Sequence, residues 1–287
     1  MQTRRARPLL GTLVEIRVDD VEAAPALAAI DAAFAEIAAV HRLMSFHEYD
    51  SDVSRINREA SREPVAVDPR AREVIRLALD FARASAGRFD PTIAAELVDW
   101  NLLPRPRDAP APEARVSWRD IEVLADGRVA SAKPLWIDLG GIAKGYAVDR
   151  AIERLTALGI ASACVNAGGD LRRIGPGWEP VHIRSPVTQR PDRALLLGEG
   201  SVASSSGYFH SARHLGHKVG PHVDALRRKA LPLDRAVSVV AERCAVADAL
   251  TKIVIADTDA AAPLLEAWNA EAIFYRDADW HPVGRAA

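Results

Sequence analysis

Apolar positions along this chain recur with two different periods, and the changes from one to the other mark its elements. Between Ala26 and Met44 the residues Leu27, Ile30, Phe34, Ile37 and His41 fall three or four apart, which predicts an alanine-rich amphipathic helix. Val74, Leu77 and Phe81 repeat the pattern between Arg70 and Ala86, where Gly87 stops it. Val148, Ile152, Leu155 and Leu158 do so again ahead of Gly159. Shorter helices are expected at Thr92–Trp100, Cys244–Lys252 and Ala260–Trp268. Alternation predicts a strand over Thr12–Val18. Short apolar runs predict others at Leu135–Leu139, Ala161–Val165, Pro180–Arg184, Ala236–Ala241, Ile253–Ala256 and Ala272–Tyr275. Asp126-Gly127, flanked by Ile121–Leu124 and Arg128–Ser131, reads as a hairpin turn. The proline-rich stretch Leu103–Pro112 and Pro186–Arg193 read as loops, and Gly200–Gly207 as a serine-rich turn. Hairpins mixed with helical crossovers predict an α+β fold, with helices packed on mixed or antiparallel sheet. No interdomain linker interrupts residues 1–287, so one domain is expected, built as a single body or as two lobes.

Composition narrows the partners more than the fold. With 49% hydrophobic residues over 287 positions, the chain can bury a large core. Its 37 basic and 39 acidic residues leave a net charge of −2, without the basic excess a nucleic-acid partner requires. Cys164 and Cys244 lie in apolar surroundings and read as buried free thiols, a single disulfide being the alternative. The N-terminal MQTRRARPLLGT has three arginines but neither a signal-peptide apolar region nor a cysteine for lipid attachment. No run is read as reaching the roughly eighteen apolar residues of a spanning helix, so a cytoplasmic protein without membrane insertion is expected.

Candidate chemistry concentrates between Trp136 and Asp170, in WIDLGGIAKGYAVDRAIERLTALGIASACVNAGGD. Gly140-Gly141 follows one apolar run and precedes Lys144-Gly145 at a helix start; Asn166 and Gly168-Gly169 follow the next, with Asp170 behind. Paired glycines let backbone N–H groups approach a ligand, a helix N-terminus favours an anion, and Lys144 adds a full charge. A phosphate-bearing ligand is the natural inference; the alternative is that the glycines only permit tight turns. The spacing fits neither a Walker A loop nor GxGxxG, so these residues alone do not name the ligand.

The same segment resembles the signature of the ApbE family, the FAD:protein FMN transferases: IDLGGIAKGYAVD, then NAGGD. Further landmarks run from Leu10-Gly11-Thr12 to Asp248. The resemblance implies a flavin-covering loop in Met44-Ser45-Phe46 and Asp50–Asn57, with Phe46 stacking on the isoalloxazine and Met44 at its edge. Otherwise both simply close a helix face. Gly87–Thr92 resembles GxFDPT, in which Asp90 has a structural role. FAD contacts are implied for Met44, Ser45, Phe46, Asp138, Gly140, Gly141, Lys144, Gly168, Gly169, Asp170 and Ser204, the last in a stretch similar to ATSG. His222 is implied as the base for the acceptor proton, although Gly220–Asp224 departs from the family's HxxDPxTG. Ala247–Thr251 resembles ADALxT, so Asp248, a backbone carbonyl near Ala143 and Thr251 are the expected Mg²⁺ ligands, Asp248 being counted catalytic. Lys252 stands where the family has its threonine, one helical turn from Asp248. It either weakens the metal, replaces it, or forms a plain structural pair. The activity implied is transfer of FMN from FAD to a Thr or Ser hydroxyl of a target protein, with release of AMP. FAD pyrophosphatase activity and FAD binding without chemistry are the alternatives.

Overall fold

A two-residue turn at Leu10-Gly11, both with positive φ (55° and 71°), joins β1 (Gln2–Leu9) to β2 (Thr12–Asp19). The structure, a computed structural model, describes residues 1–207 and 211–284. Four helices follow: α1 (Ala23–Met44), α2 (Asp52–Glu59), α3 (Pro69–Ala84) and α4 (Ala94–Asp99). Ser51 Oγ caps α2 by accepting from Ser54 N, and Asp68 caps α3, with proline at its first position. A small hairpin, β3 (Ile121–Val123) and β4 (Val129–Ser131), precedes α5 (Ala143–Ala157), β5 (Ala163–Ala167) and β6 (Asp170–Ile174). Then come the hairpin β7 (Glu179–Arg184) and β8 (Pro191–Leu197), strand β9 (Gly200–Ser206) and two short ribbons. The ribbons are β10 (Ala212–His214) with β11 (His217–Val219), and β12 (Val223–Asp224) with β13 (Lys229–Ala230). The chain ends with β14 (Ala236–Ala241), α6 (Cys244–Ala256), α7 (Thr258–Ala267), β15 (Glu271–Arg276) and β16 (Asp279–Val283).

Eight strands form one antiparallel sheet in the order β1-β2-β5-β6-β9-β14-β15-β16. Helices α1, α5 and α6 pack on one face, over Val14, Ile16, Val165, Ala203, Val237 and Val239. The β7–β8 hairpin covers part of the other face, over Val202, Ala236, Tyr275 and Trp280. This is an α+β fold of packed helices on antiparallel sheet.

The structure departs from the sequence reading at several elements. Leu135–Leu139 joins no sheet. It is an extended, buried segment whose Ile137 amide and carbonyl are both satisfied by the Asn57 side chain, at 2.7 and 3.1 Å. Ile253–Ala256 continues α6, and Gly200–Ser206 is a central strand, with α6 packed over its small side chains. β8 takes in the C-terminal end of the expected loop Pro186–Arg193. α1 corrects the reading that no run is long and apolar enough to span a bilayer: within its 22 residues an 18-residue window has a mean hydropathy of 1.6. Here its apolar stripe, Ile30, Phe34, Ile37 and Val40, is buried inside the protein. Both cysteines are free.

Candidate active site

Helices α5 and α6 cross at Gly145, and that crossing builds the site. A β-carbon at Gly145 would collide with the Cys244 carbonyl and stand 2.8 Å from the Ala245 nitrogen, so only glycine permits this approach. One turn further along α5, the buried Asp149 carboxylate accepts from the amides of Cys244 and Ala245, each at 2.9 Å, and pairs with Arg172 at 2.7 Å. A side chain of α5 therefore caps α6. The crossing also lets the Gly145 amide donate to Asp248 Oδ2 at 3.1 Å, fixing that carboxylate against the start of α5.

Two lysine–aspartate pairs occupy the same place. Lys144 pairs with Asp170 at the start of β6. Lys252 donates to Asp248 Oδ1, Ser205 Oγ and Thr251 Oγ1, each at 2.8 Å, and to the Asp248 carbonyl at 3.3 Å. The carboxylates lie behind the lysines: the Asp170 and Asp248 side chains are 2% and 0% exposed, those of Lys144 and Lys252 34% and 21%. Burial raises the proton affinity of Asp248, but Lys252, Lys144 and the Gly145 amide outweigh it and hold the carboxyl below its usual range. Asp170 is held above that range by burial and by Asp248, against its lysines. Burial also disfavours the charged form of Lys144, yet the facing carboxylates keep its proton affinity above normal.

His222, next to β12, faces these charges. Burial, Lys252 and Lys144 push its pKa down to about 3, against a hydrogen bond with the Ser206 backbone and the attraction of Asp248. The imidazole is therefore neutral at ordinary pH. Its Nε2 is buried and has no hydrogen-bond partner among the described residues.

The family signature now has a fold and a cluster of charges behind it. The ApbE family model matches residues 10–274. The chain belongs to the ApbE family. It is 28% identical to the FAD:protein FMN transferase of Treponema pallidum (strain Nichols) over 275 residues, 86% of this chain and 76% of that one. It is 30% identical to that of Chlamydia muridarum (strain MoPn / Nigg) over 221 residues, 70% and 66% of the two chains. Among solved structures, the ApbE protein of Thermotoga maritima aligns with a TM-score of 0.88 at 24% identity, covering 99% of this chain and 97% of its own. The flavin transferase ApbE of Vibrio cholerae aligns at 0.79 with 20% identity, covering 100% and 97%.

Within this ApbE fold the residues singled out from the sequence separate into groups. Lys144, Asp170, Asp248, Thr251 and His222 come together, and Gly141 borders them: a β-carbon there would stand 3.4 Å from Lys252 Cγ. Asp138 is half-buried and accepts from the Gly140 amide at 3.1 Å; burial lifts its proton affinity, and Asp248 adds to that. Gly168-Gly169 is the two-residue turn between β5 and β6, with φ of 69° and 107°, so the tight-turn reading accounts for this pair. The Gly169 amide is donated to Asn166 Oδ1, so neither it nor that of Gly140 is free for phosphate.

Met44 and Phe46 are packed in the main core, leaving little ring face for a flavin, while Ser45 beside them accepts from the His47 amide. Ser204 lies on the sheet face opposite α6, bonded to Ser238 at 2.8 Å. Its neighbour Ser205 meets Lys252. Strand alternation carries that signal, since Ser205 shares the inward face of Ala203. Asp149 and Ser205 are positioning residues that the sequence reading gave no role, and Asn57, read as part of a flavin-covering loop, instead holds the Ile137 backbone.

The metal set read from the family does not assemble as a cation site. Both Asp248 oxygens are engaged, one by an ammonium, and the Thr251 hydroxyl donates to the Asp248 carbonyl at 2.6 Å. Ala143 lies at the start of α5, so its carbonyl would have to join a carboxylate that Lys252 already holds. Mg²⁺ requires near-octahedral oxygen ligands at about 2.1 Å, and here an ammonium stands among those oxygens. Among the described residues no group of three or more His, Cys, Asp or Glu side chains offers another metal site.

Proposed function

We infer that this protein transfers the FMN moiety of FAD to a hydroxyl of a target protein. Family membership and the named activity of its relatives support the reaction class. The observation that carries the assignment to this site is the pair of half-buried ammoniums, Lys144 and Lys252, backed by buried carboxylates, beside a neutral His222 with an unpartnered Nε2.

In this reading the FAD pyrophosphate lies against Lys144 and Lys252, which hold it by charge. A Thr or Ser hydroxyl of the target attacks the FMN phosphorus, and its proton passes to His222 Nε2. An O–P bond forms to FMN. The bond from that phosphorus to the bridging oxygen breaks, and AMP leaves with the electron pair. The chain's share of the work is positioning and charge neutralisation, as expected for phosphoryl transfer. Binding a dianion beside Lys144 and Lys252 also offsets the charges that hold the His222 proton affinity down, so the base strengthens when substrate is present.

The test is mass spectrometry of FAD incubated with the protein and a Thr-containing acceptor peptide. Flavinylated peptide with a matching amount of AMP is expected. FMN and AMP formed without peptide modification would make water the acceptor and the protein an FAD pyrophosphatase. Unchanged FAD would remove the catalytic reading altogether.

A further inference from the structure

Lys252 is held in a position that suits a bound cation better than a solvated side chain. Its Nζ has four oxygens around it, three at 2.8 Å: a carboxylate, two hydroxyls and a helix carbonyl. These oxygens come from α6 and from β9, so the ammonium ties helix to sheet. Its stem runs along Gly141, where a β-carbon would lie 3.4 Å from Lys252 Cγ. A lysine on a solvated helix face is neither caged nor packed in this way.

We propose that the Lys252 ammonium is the built-in cation of this site, and that the protein takes the FAD pyrophosphate without a divalent metal. This rests on the function proposed above and deepens it. Three observations support it together. Both Asp248 oxygens are engaged, Oδ1 by the Lys252 ammonium and Oδ2 by the Gly145 amide, so a metal would have to share them with a positive charge. Asp170, a second buried carboxylate here, is spent on Lys144. Asp248 and Asp170 are thus each matched by one lysine, so at these two carboxylates a divalent ion would meet charge that is already compensated. To bind at Asp248 it would have to displace Lys252 from its oxygens and take its place beside a second positive charge. What the ammonium supplies is a fixed field at the pyrophosphate, since its hydrogens are already directed to the protein. The chemical class of ligand follows from this: a pyrophosphate diester bound as the free anion instead of as its magnesium complex.

The test measures FAD affinity of the purified full chain by flavin fluorescence in EDTA and in millimolar Mg²⁺, together with Mn²⁺ binding by electron paramagnetic resonance. Wild type should bind FAD with dissociation constants within about twofold in the two buffers and should retain no Mn²⁺, with or without FAD. In Lys252→Thr, FAD affinity in EDTA should fall tenfold or more and recover in Mg²⁺, with one Mn²⁺ now bound. Mn²⁺ held by wild type and lost in Asp248→Asn would overturn the proposal, and so would unchanged FAD affinity of Lys252→Thr in EDTA. FAD binding by wild type only in Mg²⁺ would overturn it while leaving the flavin-transfer reading intact. Absence of FAD binding in both buffers would overturn both. The wild-type arms decide the matter even if a variant folds poorly.

Discussion

The Cα of Gly145 packs against the Cys244 backbone, and the Gly145 amide at that same point donates to Asp248 Oδ2. One residue thereby sets the distance between α5 and α6 and orients the carboxylate that holds Lys252. Gly145→Ala should force the helices apart and destabilise the protein by about 1–3 kcal/mol, the usual range for overpacking a core contact. Urea unfolding reads this directly, and FAD binding should weaken in parallel. Wild-type stability in this variant would mean that the crossing can open freely.

The buried His222 makes stability depend on pH in one direction. Its folded pKa of about 3 lies below the ordinary value of about 6.5, so on acidification the unfolded chain takes up the proton first. The contribution is nil above about pH 6.5 and becomes a penalty that grows as pH falls toward 3. The groups facing the ring are Lys252 and Lys144, which deepen the shift, and Asp248 with the Ser206 backbone, which oppose it. His222→Gln should therefore lose less stability than wild type between pH 6.5 and 4.5 in denaturant titrations. Because the FAD pyrophosphate offsets the two ammoniums, binding near pH 6 should also take up protons. Calorimetry in buffers of different ionisation enthalpy should show that uptake in wild type and not in His222→Gln.

Arg228 ties the segment bearing His222 to the rest of the protein. Its guanidinium donates to Asp90 Oδ2 at 3.1 Å, to the Thr92 hydroxyl and carbonyl at 3.0 Å each, and to the Val116 carbonyl at 2.8 Å. Asp90 is buried and would be left without its counter-ion. Arg228→Ala should lose about 2–3 kcal/mol. At the same time the Leu231 amide to His222 carbonyl bond, which closes the loop, should become exchangeable. Hydrogen exchange at Leu231 separates this local loosening from a uniform loss of stability: an unchanged protection factor would show that Arg228 does not position His222.

How much of this was legible depends on whether an element has a wet side. α1, α3 and the second half of α5 each bury one stripe and leave the other wetter, so their 3.6-residue period stands out in the sequence. The end of α6 does not: Ile253, Val254 and Ile255 are all buried, and a β-branched run with no polar face reads as a strand. β9 reads as a turn because α6 lies on it and admits only small side chains. The extended Leu135–Leu139 segment is held by an amide side chain some 80 residues away, which no local pattern records. At the site, the glycine pair at a helix start brought out Lys144 and the resemblance brought out Asp170, Asp248 and His222, whereas Asp149 and Ser205 depend on where α5 and β9 come to lie after folding. Ser204, next to Ser205 on that strand, faces the other side of the pleat.

The sheet order also governs when the protein can fold. Val14 of β2 pairs with Ala167 of β5, so the N-terminal hairpin joins the rest of the sheet only through a segment distant in the chain. During synthesis the first hairpin emerges about 150 residues before its partner strand, with the inner edge of β2 unpaired and the apolar stripe of α1 uncovered. The N-terminal half is therefore a poor independent folding unit. A nascent chain that stalls before β5 presents an open strand edge and an alanine-rich apolar helix, the surfaces a holdase chaperone would have to shield.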